Sequence, residues 1–577
     1  MTELALRTLP QQLLHNAQTI GTRTAIRQKD FGIWNPVSWA EYADRATDVG
    51  HGFLALGLQS GGHVAILAEN RIEWVLGQLG AGLVGAVAIG VYSTSPAPEV
   101  EYVLAHSDCE IILCEDQEQV DKVLEVLPNL PRLRKIVVME VKGMRGYAEA
   151  VVTFDELVAL GAAHRQAHPG HVAGVMAGQS LEDAALMIYT SGSTGRPKGA
   201  ILSYRNLRAE AIAAIDRLRL TAHDSHLSYL PLCHVAEQLV TTMAPTYLGS
   251  LVNFGESIRT VQEDLREVAP SMFLGVPRIW EKLHSAIHLR MLDAGPLRQG
   301  LYARAFAACE PFADKTPAEM TLAERRIFRF WQALVFRPLQ NFIGLSRCHV
   351  AMTGAAPISP RVVKFFRTMG VPLVEVYGAT ETTGMMLGQS LAGRVPLSVG
   401  QPVQGAEVRL SEGGEILLKG DLVFKGYYKN PEATAATIRD GWLHTGDVGR
   451  VDAAGNWFII DRMKDIMITA GGKNLSPSEI ENTVKASPYV KECISIGEGR
   501  KYVAALIQID AETTGKWAEE QGIAYTNFRN LAENTRVRGL IEAEIAAANA
   551  QMAQVAHIRR FHLLIKELDH DDPTFSK

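Results

Sequence analysis

Short apolar runs alternate with longer amphipathic segments through the first several hundred residues of the chain. The run at residues 64–67 precedes the segment Ile72–Leu83, and Ile111–Cys114 precedes residues 120–127. Later, residues 273–276 form another apolar run, and Pro277 opens a segment with helical spacing. Brief unbroken apolar runs are typical of strands buried on both faces, and three- to four-residue spacing is typical of helices. The alternation predicts an α/β fold with largely parallel sheets.

The pattern of the chain changes near residue 461. Residues 448–461 predict a β-hairpin with its turn at residues 453–456. Beyond it, Ser476 is placed to cap a helix that starts at Pro477, with Glu479 reaching back to close a capping box. Because 577 residues exceed one ordinary core, we predict a large N-terminal domain at 1–461 and a small α+β C-terminal domain at 462–577.

Composition and charge narrow the class of protein. The formal net charge of −6 argues against nucleic acid as a partner. The six cysteines include no CxxC pair, which is typical of a protein in a reducing cytoplasm. Residues 1–14 lack the pattern of a secretory signal, and the apolar run at 80–91 is too short and glycine-rich to span a bilayer. We expect a cytoplasmic protein whose membrane contact is peripheral, at an inner face.

A loop at residues 189–199 carries three glycines, four hydroxyl residues and two cations directly after an apolar run. Glycines allow backbone N–H groups to converge on phosphate oxygens, hydroxyls add short hydrogen bonds, and Lys198 supplies positive charge. The loop differs from a Walker A loop, because lysine precedes Gly199 and no Ser or Thr follows. Composition alone is equally typical of a flexible surface connection.

Four further motifs follow this loop, at residues 354–357, 377–381, 441–447 and 461–465. Together the five motifs, in this order, resemble the signatures of the adenylate-forming superfamily, which includes acyl-CoA synthetases, luciferases and peptide-synthetase adenylation domains. The resemblance covers nearly the whole chain, from about residue 92 into the C-terminal domain. It implies an enzyme that uses ATP, Mg²⁺ and coenzyme A to convert a carboxylic acid into an acyl-adenylate and then into a thioester.

The resemblance also implies roles for individual residues. The implied ATP- and AMP-binding residues are Thr190, Ser191, Gly192, Ser193, Thr194, Gly195, Gly354, Ala355, Ala356, Tyr377, Gly378, Thr380, Asp447 and Arg462. The implied catalytic residues are Lys198, Thr380, Glu381 and His234, and the implied Mg²⁺ ligands are Thr190 and Glu381. Lys464 is the implied hinge about which the C-terminal domain swivels, and Gly471, Gly472 and Lys473 are implied to line the coenzyme A tunnel.

Several of these residues have a plain structural alternative. A tyrosine at a strand end can lay its ring on adenine, and an aspartate can accept hydrogen bonds from both ribose hydroxyls. Without the motifs, however, Asp447 would be interpreted as an ordinary turn cap, and Glu381 as a solvated loop carboxylate. Lys464 alone resembles any exposed lysine. The order of the motifs favours the functional interpretation.

The acyl substrate is indicated by residues 230–237 and 275–282, which resemble the branch of the family that acts on long-chain fatty acids and similarly bulky apolar acids. His234 is placed either to guard the acyl entrance or to pack as a core histidine. The segment 324–340 sets four arginines among seven apolar residues. It either lies on anionic lipid or packs on the core with its arginines solvated. The oligomeric state stays open, with a homodimer among the candidates.

The end of the chain departs from the family pattern. Members carry a terminal loop with a lysine that contacts the carboxylate and the α-phosphate, and residues 571–577 do not match it; Lys577 is not assigned this role. We therefore expect impaired adenylation with nucleotide binding kept. Two alternatives to an acyl-CoA ligase remain: an acyl-AMP ligase that loads a carrier protein, and a weakly catalytic ATP- and lipid-binding protein. Gly471 and Gly472 favour coenzyme A.

Overall fold

The computed structural model describes residues 6–146, 149–190 and 196–568. The predictions for Ser191, Gly192, Ser193, Thr194 and Gly195 lie outside the described residues. So does the expectation drawn from the terminal segment at 571–577.

The N-terminal region begins with alternating helices and strands. In chain order these are α1 Leu9–Thr19, β1 Thr24–Asp30, β2 Ile33–Ser38, α2 Trp39–Ala55, β3 His63–Leu67, α3 Ile72–Leu83, β4 Val87–Val91, α4 Ala97–His106, β5 Ile111–Cys114, α5 Gln117–Val126, β6 Lys135–Val138, β7 Val151–Thr153, α6 Phe154–Ala167 and α7 His171–Gly178. They continue with β8 Ala184–Thr190, β9 Lys198–Ser203, α8 Tyr204–Leu218, β10 Ser225–Ser228, α9 Val235–Gln238, α10 Ala244–Leu248, β11 Leu251–Phe254 and α11 Val261–Val268.

The remaining elements complete a second sheet, an antiparallel sheet and a C-terminal unit. They are β12 Met272–Gly275, α12 Pro277–Leu292, α13 Pro296–Cys309, α14 Leu322–Trp331, α15 Arg337–Phe342, β13 Val350–Thr353, α16 Pro360–Thr368, β14 Leu373–Ala379, β15 Gly384–Gly388, β16 Gln401–Pro402, β17 Ala406–Leu410, β18 Glu415–Gly420, β19 Gly426–Tyr427, α17 Pro431–Thr437, β20 Ile438–Arg439, β21 Trp442–Val451 and β22 Trp457–Arg462. The last are β23 Met467–Ile468, β24 Asn474–Leu475, α18 Pro477–Lys485, β25 Val490–Ile496, β26 Val503–Ile509, α19 Ala511–Glu520, α20 Phe528–Ala532, α21 Thr535–Asn549 and β27 Ile558–Leu563.

An eight-stranded sheet organises the N-terminal region, in the order β19-β9-β8-β4-β3-β5-β6-β7. The strands from β8 to β7 run parallel, and β9 and β19 are antiparallel to their neighbours. Both faces are covered: Val64 and Ile66 of β3 belong to one buried cluster, and Ala65 and Leu67 belong to another. This double burial explains the unbroken apolar run, and the predicted α/β fold with mainly parallel sheets is confirmed.

Two smaller sheets stand beside the first. One has the order β12-β13-β14-β15-β16, with β12, β13 and β14 parallel, and the other has the order β10-β11-β1-β2. Strand β12 lies one residue earlier than the apolar run at 273–276, and α12 begins at Pro277 as predicted. The carboxyl ends of β12, β13 and β14 therefore meet at one edge, where ligands of open sheets bind.

An antiparallel sheet of β17, β18, β20, β21 and β22 leads to the C-terminal unit. The hairpin β21–β22 contains the predicted turn at 453–456, although β21 starts earlier than predicted, at Trp442. The C-terminal unit has its own three-stranded sheet, β25-β26-β27. Its buried cluster contains residues from Met467 to Leu563 only. We propose a domain boundary near residue 461 on this basis.

Of the two hydrogen bonds predicted for the capping box of α18, one is present and the other is absent from the described residues. Ser476 is the N-cap, and its hydroxyl accepts a hydrogen bond from the backbone N–H of Glu479 at 3.0 Å. The carboxylate of Glu479 makes no return bond to Ser476 within the described residues. Instead, the Ser476 hydroxyl donates to Asp461, so the cap also ties the helix to β22.

The arginine-rich segment at 324–340 is not one regular helix. It contains the end of α14, a π-helical turn at Gln332–Phe336 and the start of α15. Phe336 and Leu339 are buried in a hydrophobic cluster, so one side packs on the core. The other side leaves Ile327, Phe330 and Leu334 exposed. In the part of the chain that the structure describes, no helix is long and apolar enough to cross a bilayer.

Candidate functional site

A cavity of about 1970 Å³ lies where the N-terminal sheets and the C-terminal unit meet. Its walls come from β4 and β8 of the eight-stranded sheet, from the ends of β12, β13 and β14, from the β21–β22 hairpin and from α18. Thirteen of the residues singled out in the sequence line it: Thr190, Lys198, His234, Gly354, Ala355, Ala356, Tyr377, Gly378, Thr380, Glu381, Asp447, Arg462 and Lys464. Residues more than 250 positions apart thus share one space.

Three predicted residues lie elsewhere. Gly471, Gly472 and Lys473 are exposed on the connection between β23 and β24, and they are not among the residues that line the cavity. The C-terminal unit instead presents α18 to the cavity, through Ser478, Glu479, Asn482 and Thr483. The structure therefore shows one arrangement of the two units, with the glycine loop turned away.

Tyr377, Asp447 and Arg462 form one polar cluster on the cavity wall. The Tyr377 hydroxyl donates a hydrogen bond to Oδ2 of Asp447 at 2.5 Å, and Nε of Arg462 lies 3.7 Å from Oδ1. Burial raises the pKa of Asp447, although Tyr377 and Arg462 favour its charged form. Tyr377 lies in β14 and Asp447 lies in β21, so two sheets supply the pair. The cluster offers an aromatic ring, a carboxylate and a guanidinium to a nucleoside.

Lys198, Tyr427 and Glu381 form a second cluster. The Tyr427 hydroxyl donates to Oε1 of Glu381 at 2.7 Å, and Nζ of Lys198 lies 5.1 Å from the centre of the Tyr427 ring. All three residues line the cavity. Sequence reasoning missed Tyr427, because β19 is two residues long and its pairing with β9 is not visible in a local pattern.

Backbone geometry at the cavity edge is specific to small residues. A Cβ at Gly378 would lie 1.5 Å from the carbonyl oxygen of Gly384, because β14 and β15 pass too closely there. Ala355, which follows β13, adopts a left-handed conformation with φ of 69°. Non-glycine residues in this region are strained and cluster at functional sites. The β14–β15 pairing therefore requires glycine at position 378, and the segment after β13 has a left-handed residue at the cavity edge.

His234 lies on the cavity wall at the start of α9. Its Nδ1 accepts a hydrogen bond from the backbone N–H of Ala236 at 3.1 Å, which leaves Nε2 to carry the proton of the neutral ring. Burial lowers its pKa, against the opposing charge of Glu237. The structure places the ring at the cavity rather than in the closed core. Neighbouring wall residues are apolar: Val235, Leu239, Leu274, Val276 and Met352.

Glu375 is a second cavity residue that sequence reasoning missed. It precedes Tyr377 by two positions in β14, and burial raises its pKa to about 7, with Arg367 acting in the opposite direction. A carboxyl group with this pKa changes charge near neutral pH. Its signal in the sequence is a single acidic residue inside an apolar strand.

The donor set suits a hard cation. Glu381 presents a carboxylate, and Thr190 and Thr380 belong to the same wall. Mg²⁺ is commonly bound by one or two carboxylates together with substrate phosphates rather than by a full protein cage. Among the described residues, no group of three or more His, Cys, Asp or Glu side chains is arranged to hold a metal.

Comparison with known proteins identifies the family to which the chain belongs. The family model described as AMP-binding enzyme matches residues 13–428, and the model of the AMP-binding enzyme C-terminal domain matches residues 464–577. The long-chain-fatty-acid–CoA ligase ACSBG2 of Rattus norvegicus is 32% identical over 88% of this chain and 77% of its own length. The long-chain-fatty-acid–CoA ligase FadD15 of Mycobacterium bovis is 30% identical over 94% of this chain and 88% of its own length.

Solved structures share the fold. The crystal structure of the anthranilate CoA ligase AuaEII in complex with anthranoyl-AMP superposes with a TM-score of 0.73, at 21% identity, and covers 98% of this chain and 95% of that one. At this level of identity the likeness shows the arrangement of the chain, and the chemistry has to be argued from the residues.

Proposed function

The chain belongs to the AMP-binding enzyme family, and from that premise we propose that it is a long-chain fatty acid–CoA ligase that works through an acyl-AMP intermediate. The observation that most directly supports the proposal is that the nucleotide motifs and a set of apolar residues line the same cavity. The curated relatives named as long-chain-fatty-acid–CoA ligases match over most of the chain and support the acyl class.

The proposed reaction has two steps, adenylation of the acid and transfer of the acyl group to coenzyme A. A carboxylate oxygen of the fatty acid attacks the α-phosphorus of ATP, the bond to the β-phosphate oxygen breaks, and pyrophosphate leaves. The thiolate of coenzyme A then attacks the acyl carbon, and AMP leaves with the electrons of the broken C–O bond. The first step joins two anions, so their charges must be neutralised and their atoms aligned before reaction.

We assign the first step to the residues that line the cavity. Tyr377, Asp447 and Arg462 hold the adenosine, and Lys198 and Thr380 contact the phosphates. Glu381 and Thr190 are the proposed ligands of Mg²⁺, which when bound would neutralise charge at the phosphates. His234 stands at the mouth of the apolar wall as the gate for the acyl chain.

For the second step we propose that the C-terminal unit swivels about Lys464. In the arrangement described, Gly471, Gly472 and Lys473 are exposed and away from the cavity, so a rotation is required to bring them to the acyl-adenylate. Glycines there permit a thin pantetheine arm to pass closely. A rotation between two half-reactions also keeps water away from a reactive anhydride.

The proposal is tested by assaying both half-reactions over acids from acetate to long-chain and sterol carboxylates. We expect coenzyme A thioesters from long-chain acids, both from acid with ATP and from supplied acyl-AMP. A Leu239→Trp variant puts a larger side chain into the apolar part of the cavity and should raise KM for a sixteen-carbon acid several-fold, with KM for ATP unchanged; Leu160→Trp, at an exposed position of α6, is the control. ATP binding without turnover of any acid or acyl-AMP would contradict the assignment.

We further propose peripheral contact with anionic membranes through the exposed side of α14 and α15. Residues 296–342 carry seven Arg or Lys against four Asp or Glu, in a chain of net charge −6. Arg326, Arg329 and Arg337 are exposed, and the one acidic residue of α14, Glu324, is already paired with Lys315 at 2.6 Å. Phe330 is 58% exposed beside them. Cations next to exposed apolar side chains suit the interface of an anionic bilayer.

Vesicle flotation tests the membrane proposal. The protein should bind vesicles that contain phosphatidylglycerol and not pure phosphatidylcholine, and a triple Arg→Gln change at 326, 329 and 337 should abolish binding. Arg529→Gln, at an exposed site in the C-terminal unit, is the matched control. Equal flotation of the triple variant would contradict the proposal.

We also propose a cytoplasmic location, which six free cysteines support. A homodimer stays a prediction that sedimentation would test.

A further inference from the structure

The carboxylate of Asp461 joins the two units of the chain at their junction. Asp461 belongs to β22, where it pairs with Val448 of β21. Its Oδ2 accepts a hydrogen bond from the Ser476 hydroxyl at 2.6 Å and one from the backbone N–H of Ser478 at 3.2 Å. Its Oδ1 accepts from the Ser478 hydroxyl at 3.1 Å. Three bonds therefore cross from the antiparallel sheet to the C-terminal unit.

These bonds fix the position of α18. Ser476 is the N-cap of the helix and Ser478 lies in its first turn, so the carboxylate faces the positive end of the helix dipole. Asp461 is only 6% exposed, and hydrogen bonds to a charged acceptor are strong when water is excluded. The same helix then presents Glu479, Asn482 and Thr483 to the cavity. Asp461 thus determines where one wall of the cavity stands.

The other contacts between the units are weaker. Nε2 of His288 lies 3.1 Å from the Tyr489 hydroxyl, and Asp293 pairs with Lys516 at 2.7 Å. The Asp293 side chain is 62% exposed, and exposed ion pairs contribute little because water and salt screen them. Among these junction contacts, the Asp461 carboxylate alone combines burial, charge and three bonds.

We propose that Asp461 is a positioning residue for acyl-adenylate formation: it latches α18 against the cavity, and the latch opens when the C-terminal unit turns for thioester formation. The inference rests on the proposed function and on Lys464 as the hinge. Lys464 lies between Asp461 and Ser476 in sequence. A rotation about Lys464 therefore carries Ser476 and Ser478 away, while Asp461 stays with β22.

The latch is tested first by cleavage at the hinge, which needs no substrate. Trypsin cuts after Arg462 and Lys464, and the Arg462 side chain is 62% exposed. Asp461→Asn keeps the size of the side chain but replaces one acceptor oxygen and removes the charge. We expect it to speed cleavage at these bonds about tenfold, the effect of losing one charge-assisted hydrogen bond. A rate within twofold of the unmodified protein would overturn the proposal.

A matched control separates the latch from general destabilisation. Asp452 lies in the turn of the same hairpin, and its carboxylate accepts from the backbone N–H groups of Ala454 and Asn456 at 2.9 and 2.8 Å, entirely within one unit. Asp452→Asn should leave hinge cleavage unchanged. Ser476→Ala removes the 2.6 Å bond from the other side. The part of its effect that comes from this bond should not add to that of Asp461→Asn, whereas the loss of the N-cap bond from Glu479 should add to it.

The two half-reactions give the second readout. Asp461→Asn should slow pyrophosphate exchange about tenfold relative to the unmodified protein, while acyl transfer from supplied acyl-AMP stays equal or becomes faster. An equal fall in both rates would indicate a merely structural role and overturn the proposal. If the unmodified protein performs neither half-reaction, the proposed function fails, and hinge cleavage alone then decides whether the latch exists.

Discussion

Tyr427 donates a hydrogen bond from its hydroxyl to Glu381, a proposed ligand of Mg²⁺. Tyr427→Phe removes the 2.7 Å bond to Oε1 of Glu381 and leaves the ring under Lys198. A hydrogen bond to a charged group contributes about 1.5–3 kcal/mol. We expect kcat to fall about tenfold and the Mg²⁺ concentration for half-maximal rate to rise, as measured by thioester formation over a Mg²⁺ titration.

The neighbouring tyrosine supplies the control for this prediction. The Tyr428 hydroxyl donates to Asp108 at 2.8 Å, and Tyr428 is not among the residues that line the cavity. Tyr428→Phe should leave the Mg²⁺ dependence unchanged. A similar shift in both variants would show that the effect comes from the strand as a whole.

Glu375 gives a pH prediction with a definite sign. Its pKa in the folded protein is about 7, above the ordinary value of 4.5, so the folded state binds more protons than the unfolded state between these values. Stability contributed by this group is present below pH 4.5 and is lost as pH rises through 7. Glu375→Gln should be more stable than the unmodified protein at pH 8, by about 3 kcal/mol, in thermal unfolding followed by circular dichroism.

Thermal unfolding of the same two proteins at pH 5 is the control for this prediction. At pH 5 the unmodified carboxyl is already neutral, so the two proteins should unfold at similar temperatures. A stability gain that is equal at pH 5 and pH 8 would contradict the assigned pKa.

At the scale of single residues, the sequence predicted those site residues that lie in contiguous motifs. Tyr377, Glu381 and Asp447 each stand in a short pattern, and all three line the cavity. Tyr427 and Glu375 were missed for a physical reason. Their roles come from burial and from partners on strands distant in sequence, and neither property leaves a local pattern.

At the scale of elements, the contact between α2 and α6 contains an unusual group of histidines. Nδ1 of His51 on α2 lies 2.9 Å from Nδ1 of His164 on α6. The ring of His168 stacks on that of His164, and the ring of His171 lies edge-on to that of His51. A hydrogen bond between two ring nitrogens requires exactly one proton between them. Burial and the neighbouring histidines lower the pKa of His51 to about 4.

This group makes the helix pair sensitive to acid. Because the folded pKa of His51 lies below the ordinary 6.5, the unfolded state binds more protons between pH 6.5 and 4, and stability falls as pH falls through that window. We expect a loss on the order of 2 kcal/mol, reduced in His51→Gln. The exposed His223→Gln is the control, and identical pH profiles of the two variants in thermal unfolding would contradict the prediction.

Helices and strands followed the apolar pattern closely where the core covers them. The segment Ile72–Leu83 is a helix and Ile111–Cys114 is a strand, with the bounds that the pattern predicts. The π-helical turn at Gln332–Phe336 and the missing reciprocal bond at α18 were not predicted. In α18 a tertiary partner, Asp461, accepts from the Ser476 hydroxyl, whereas the local pattern predicted a bond from the Ser476 backbone N–H to Glu479.

At the scale of the whole molecule, the buried core of the C-terminal unit is separate from the buried clusters of the N-terminal region, which predicts two unfolding transitions. The C-terminal cluster contains residues from Met467 to Leu563, and the other clusters contain residues up to Ile459. Among the described residues, the units are joined by the Asp461 bonds, by the His288–Tyr489 hydrogen bond and by the Asp293–Lys516 ion pair. Scanning calorimetry should resolve two transitions, and ATP should raise the larger one more, by mass action on the unit that binds it. A single transition would contradict two cores that unfold independently.

The strand order of the eight-stranded sheet has a consequence for the newborn chain. Strand β9 pairs with β19 through Ile201 and Gly426, so a ribosome that has completed β9 must still synthesise everything up to Tyr427 before that edge is covered. At 5–20 residues per second, this takes roughly 10–45 s. Throughout that interval the nascent chain carries an unpaired strand edge, the kind of surface on which polypeptides associate wrongly. The speed of translation and the protection given by chaperones should therefore decide how much of this enzyme reaches its folded form.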